Sequence, residues 1–130
     1  MGAWGYGNLE NDTVLDWIEE LFETDNMSLI TESIECVLED DDIDADTASI
    51  AIGAIEVLAA LHGSPGTEEY EEELKEWIDQ HKGNGKRLLS KAQKALNRIL
   101  LESELKDLWE ESESFEEWVK TIKDLERRLI

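Results

Sequence analysis

The stretch DTASIAIGAIEVLAAL, residues 46–61, decides how this chain folds. Its apolar residues Ile52, Ile55, Val57, Leu58 and Leu61 spread around most of a helical circumference instead of forming the single stripe of a surface helix. Ala48, Ala51, Ala54, Ala59 and Ala60 lie between them, and such small side chains let neighbouring helices come close. A helix from about Asp46 to His62 is therefore expected at the centre of a helical domain. The following HGSPG ends it: Gly63 is the expected C-cap, and Pro65, with no backbone N–H, prevents continuation. The most apolar part, IAIGAIEVLAAL, carries Glu56 and falls short of the roughly 20 residues that span a bilayer.

The helical period continues on both sides of this segment. Towards the N-terminus, Val14, Trp17, Ile18, Leu21 and Phe22 recur at helical spacing behind a cap at Asn11 or Asp12. A second helix, Ser28 to Leu38, presents Ile30, Ile34, Val37 and Leu38. EDDDIDAD at 39–46 reads as the break after it, feeding a cap near Asp46. Towards the C-terminus, a fourth helix begins at Thr67, with Glu68 and Glu69 where the helix dipole favours anions. Tyr70, Leu74, Trp77 and Ile78 form its inner stripe, and KGNG stops it. A fifth runs from about Lys86 to Leu101. Ser103 caps a short sixth helix, ELKDLWEE, and Ser114 with Glu117 makes a capping box for the last. The expected fold is all-α: one domain, residues 1–130, a bundle of six or seven helices with an irregular Gly/Trp-rich N-terminal segment.

Charge is distributed unevenly. The net charge is −21, and residues 1–74 contain no Lys or Arg. Residues 1–85 hold 23 Asp and Glu against Lys75 and Lys82 alone, whereas residues 86–130 hold ten of each sign. Such a field repels nucleic acid and anionic membrane and attracts basic partners. The alternative reading is a solvated surface that keeps the protein soluble; uniform acidic adaptation of the whole surface gives no reason for a neutral C-terminal third. The opening residues lack the basic region and apolar stretch of a signal peptide. Cys36 is the single cysteine, so no intrachain disulfide forms and a reducing cytoplasm is the expected compartment. Apolar neighbours in SIECVLE suggest that Cys36 is a small buried hydrophobe.

Motifs for chemistry are scarce. The glycines of MGAWGYGNLENDTVLDW do not match the dinucleotide or phosphate-loop patterns, and Tyr6 stands where N-myristoylation wants Ser or Thr. They read as a tight path that lets Trp4 and Tyr6 pack back on the bundle. An EF-hand loop starting at Asp42 would place Thr47 and Gly53 where Gly and Glu are required; one starting at Asp40 would place Ala45 and Ala51 there. His62 and His81 stand near helix C-termini, where the dipole favours a charged imidazole, and belong to no zinc motif. No cofactor or metal is expected. Arg87, Lys91, Lys94 and Arg98 share one face of the fifth helix. Contact with an anionic ligand is one reading of this face; the short KGNG connection favours the other, pairing with the acidic fourth helix.

GAWGYGNLENDTVLDW at 2–17, SELKDLWEE at 103–111 and the spacing of Trp118 to Leu129 resemble a bacterial family known as domain of unknown function 4259. The resemblance implies a small, mostly helical cytoplasmic protein and supplies no activity or catalytic residues. It groups Gly2, Trp4, Gly5, Asn11, Asp12 and Trp17 as one structural N-terminal unit, and Glu104, Trp109 and Trp118 as an opposite closing layer.

The leading functional expectation is a non-enzymatic acidic interaction protein, in its specific form an immunity protein or inhibitor covering a basic toxin or nuclease. Helices one to three with EDDDIDAD would form the contact face, and Asp40, Asp41, Asp42, Asp44 and Asp46 are its expected partner-binding residues. The alternative is a self-associating accessory domain, a homo-oligomer in which the five tryptophans share apolar faces between copies. A small-ligand enzyme ranks third.

Overall fold

The computed structural model describes residues 8, 9, 11–24, 26–66 and 70–130. Among them are seven α-helices: α1 (Asp12–Phe22), α2 (Ser28–Glu39), α3 (Ala45–Leu61), α4 (Glu72–His81), α5 (Leu89–Glu102), α6 (Glu104–Glu110) and α7 (Phe115–Arg128). A 3-10 turn, Lys86–Leu88, leads into α5. The fold is all-α, and the described residues contain no strand, only an isolated parallel bridge between Ile43 and Ser103.

α3 is the axis. Every residue from Ala51 to Leu61 is buried, including Glu56, and α3 touches each of the other six helices. Its alanines allow this crowding. The closest approach is at Gly53, where an added Cβ would lie 2.5 Å from Cγ1 of Val14, so α1 crosses α3 at a position that admits no side chain. The helix ends in a Schellman motif. Ser64 N–H bonds the Ala59 carbonyl, Gly63 N–H bonds that of Ala60, and Gly63 takes φ +92°.

Around this axis the other helices bury one stripe each. α1 contributes Val14, Trp17, Ile18 and Leu21; α2 contributes Ile30, Ile34 and Val37; α7 contributes Trp118, Ile122 and Leu125. A fully buried Leu or Ile gains about 1.5–3 kcal/mol over an exposed one, so these stripes set the packing. Trp109 and Trp118 stack with ring centroids 6.2 Å apart, and Phe115 joins them. Glu104 makes a backbone contact. At the start of α6, its Oε1 accepts the Ala45 N–H at 2.8 Å, tying that helix to the beginning of α3.

Several local expectations are corrected. Cys36 is exposed, because the buried side of α2 runs through Ile30, Ser33, Ile34 and Val37 and leaves position 36 off the stripe. The cap of α3 is Asp44, whose Oδ1 accepts the Thr47 N–H at 2.7 Å; Asp46 lies within the first turn. α4 starts at Glu72, so Tyr70 precedes the helix, while the expected start at Thr67, Glu68 and Glu69 lies outside the described residues. Ser114 makes no side-chain cap: its backbone φ and ψ of −99° and 15° are not those of a capping residue, and its N–H is bonded by Ser112 Oγ. Asn11 and Ser103 do cap α1 and α6.

The basic face of α5 packs on α2, not on α4. Lys91 pairs with Glu35 at 3.6 Å. Arg98 donates to the carbonyls of Val37, Leu38 and Asp40 at 2.6, 3.1 and 2.9 Å. A guanidinium thus closes the C-terminal end of α2, where the dipole and unpaired carbonyls favour a cation. α4 packs instead on α1 and α3.

Candidate functional site

The expected partner-binding residues lie where α2 hands over to α3. Asp40, Asp41, Asp42, Asp44 and Asp46 are all exposed. The backbone beneath them is firmly held. Ile43 is buried, its carbonyl accepts the Glu104 N–H at 2.9 Å, and the Asp40 carbonyl receives Arg98. Among the described residues, no Lys or Arg pairs with any of these five carboxylates. Asp44 is distinct from the rest because its carboxylate caps α3. On α1, Asp12, Asp16, Glu19 and Glu20, and Glu23 just after it, are exposed as well, also without an ion pair among the described residues.

Cys36 lies among these acidic groups. Partial desolvation, and then the carboxylates of Asp40, Glu39, Glu32 and Glu35, raise its pKa. Its exposed sulfur is thereby disfavoured as a thiolate nucleophile. Of the N-terminal unit, Asn11 and Trp17 are buried and Asp12 is exposed, whereas Gly2, Trp4 and Gly5 lie outside the described residues. His81 is buried, stacks on Trp77 at 4.0 Å, and donates through Nδ1 to the Trp77 carbonyl at 2.7 Å. Among the described residues, no group of three or more His, Cys, Asp or Glu is placed to hold a metal ion.

A second polar centre lies on the central helix, and the sequence reading passed over it. Glu56 is 1 % exposed, and both its carboxylate oxygens are bonded. Arg128 Nη1 and Nη2 donate to Oε2 and Oε1 at 2.7 and 2.8 Å. Tyr70 Oη donates to Oε2 at 2.6 Å and Asn8 Nδ2 to Oε1 at 3.0 Å. An unpaired carboxylate at this depth would cost several kcal/mol, roughly 3–5 for a pair broken on one side. Desolvation alone would raise the Glu56 pKa, but the bonds from Arg128, Tyr70 and Asn8 and the Arg128 charge outweigh it and hold it below the ordinary value. Burial, followed by the adjacent charge and hydrogen bond of Glu56, pushes Tyr70 upward, so its hydroxyl stays a donor. The group is a clasp joining α3, the end of α7 and the segments before α1 and α4.

The clasp braces one wall of a cleft of about 600 Å³. Tyr70 Oη accepts the Gly66 N–H at 3.0 Å, and the Arg128 guanidinium packs so closely on Gly66 that an added Cβ would meet it at 3.0 Å. Ala60, Pro65, Tyr70 and Ile78 supply apolar lining, and Lys75, Asp79 and Lys82 supply charge.

A family model described as Domain of unknown function (DUF4259) matches residues 2–121. The chain belongs to this family. The DUF4259 match spans the acidic segment, Glu56, Tyr70 and every cleft residue, while Arg128 lies beyond its end. Comparison with curated proteins and with solved structures finds no match. The family description assigns no chemistry, so the functional reading rests on the residues themselves.

Proposed function

We propose that this chain is a non-enzymatic acidic interaction protein that binds a basic partner protein, and that an immunity protein or inhibitor is its specific form. The observation that carries this reading is the set of exposed carboxylates at Asp40, Asp41, Asp42 and Asp46, unpaired among the described residues and standing on a backbone fixed by Arg98 and Glu104. Charges on a rigid support recognise a complementary surface without first having to be ordered, and they speed encounter by steering. The rear of α2 already has cations from α5, which directs the unbalanced charge outward. No helix among the described residues is long and apolar enough to cross a membrane, and a cytoplasmic setting fits the lone Cys36.

The test is capture of partners from native lysate at about 50 mM and about 300 mM salt, a range over which screening changes substantially. A stoichiometric basic protein held at low salt and released at high salt is the expected result. Recovery of the chain alone at both salts would count against the reading.

Self-association is the second reading. The four described tryptophans are buried in the core, so they are not the surface it would use. Leu101 and Ile130, 70 % and 86 % exposed, are the side chains that favour it. A sedimentation coefficient that rises with protein concentration would support it.

A further inference from the structure

We propose that the cleft between the end of α3 and α4 binds a small organic anion that carries an apolar ring or chain. The proposal is independent of the acidic-partner reading and concerns a different part of the surface.

Charge placement is the first argument. In the first 85 residues only Lys75 and Lys82 oppose 23 carboxylates, and both line this cleft. They lie seven residues apart, Lys75 on α4 and Lys82 directly after its last residue, about 10 Å apart by helical rise, with Ile78 and Asp79 between them. Lys82 approaches Asp79 at 3.5 Å, while Lys75 has no ion pair among the described residues. The cleft therefore gathers the two cations of a strongly negative segment, with Lys75 unpaired among the described residues.

Shape and lining are the second. A volume of about 600 Å³ is within the range of small-molecule sites. Pro65, Ile78 and the Tyr70 ring form apolar wall. The Tyr70 hydroxyl is already engaged by Glu56 and Gly66, which leaves the ring as the part free to meet a ligand. Because Glu56 and Arg128 fix that ring from behind, the wall stands formed before anything binds, and preorganisation lowers the cost of binding. An anionic head near Lys75 and an apolar body against Tyr70 would use both halves.

The test is a two-dimensional amide NMR titration of the full chain with phenyl phosphate and with phenylacetate. Inorganic phosphate and benzyl alcohol serve as half-ligand controls, all at about 50 mM salt. At least one of the two aromatic anions should shift Gly63, Gly66, Tyr70, Ile78 and Asp79 saturably, and more tightly than either control. Which one does so distinguishes a phosphate ligand from a carboxylate. K75Q/K82Q should weaken that binding about tenfold, and K91Q, which removes a charge away from the cleft, should not. Thermal melts of the variants verify folding. Failure of both anions to saturate, shifts scattered over the surface, or equal binding by K75Q/K82Q would overturn the proposal. None of these outcomes bears on partner capture by the acidic loop.

Discussion

Arg128 reaches back across 72 residues of chain to hold Glu56 by two hydrogen bonds, 2.7 and 2.8 Å long. Its Nε is bonded to Asp124 at 3.0 Å and its Nη1 also reaches the Ser64 carbonyl at 3.2 Å, so the guanidinium is fixed on several sides. The last turn of α7 is thereby locked to the middle of α3. A geometry this specific makes the two residues a unit whose parts are not separable.

Removing one partner should therefore be worse than removing both. R128M leaves a buried carboxylate without its cation and should cost about 3–5 kcal/mol in urea unfolding. E56L/R128M removes the carboxylate and the cation together and gives up the Glu56 bonds to Tyr70 and Asn8 and the Arg128 bonds to Asp124 and the Ser64 carbonyl, a loss of about 1–3 kcal/mol. A double variant less stable than R128M would contradict the clasp.

Acid should weaken the fold through the same group. The folded pKa of Glu56 is depressed from 4.5, so its contribution is complete above that value and is lost as pH falls through the lower, folded pKa. The stability of the wild type should thus fall below about pH 4.5, and that part of the slope should be missing in E56L/R128M. Parallel pH profiles of the two proteins would show that Glu56 contributes no such term.

The contact between α1 and α3 gives a third test. Alanine favours a helix over glycine by about 1 kcal/mol, so G53A in an open site would stabilise. Here the new Cβ would lie 2.5 Å from a fully buried, β-branched Val14, and overpacking of this kind costs about 1–3 kcal/mol. The substitution should be destabilising alone and clearly less so in a V14A background. Additive effects would mean that the two helices do not meet there.

Arg98 should be irreplaceable by lysine. R98K keeps the charge but cannot serve three carbonyls with a planar fork, and the loss should be about 1.5–3 kcal/mol. Amide exchange at residues 40–46 should quicken in the variant. Unchanged exchange would show that the loop does not depend on this anchor.

The central helix, the helical class and most buried stripes were legible because each is written in local periodicity. Asn11, Ser103 and Gly63 were legible because their work is done within a few residues. The misplacements have a common cause in tertiary structure. The short turn before α5 suggested α4 as its neighbour, but Arg98 is satisfied by the carbonyls ending α2, about 60 residues away. Tyr70 has the spacing of an α4 residue, yet its hydroxyl is drawn to Glu56. Glu56 itself looked like an interruption of an apolar run. A signal was present: a helix apolar on all sides has no solvent face for a charge, so its lone carboxylate requires a buried cation. Which cation it finds depends on α7 folding back, and spacing does not encode that.

Recognition by the exposed carboxylates is tested most directly by comparing partner capture by the wild type and by D40N/D41N/D42N at about 50 mM salt. These three side chains are exposed, and Asp44 is retained because it caps α3, so the fold should survive. The account expects a basic protein bound to the wild type and about tenfold weaker binding to the variant, mainly through slower association. Equal capture of the same partner by both proteins would contradict it.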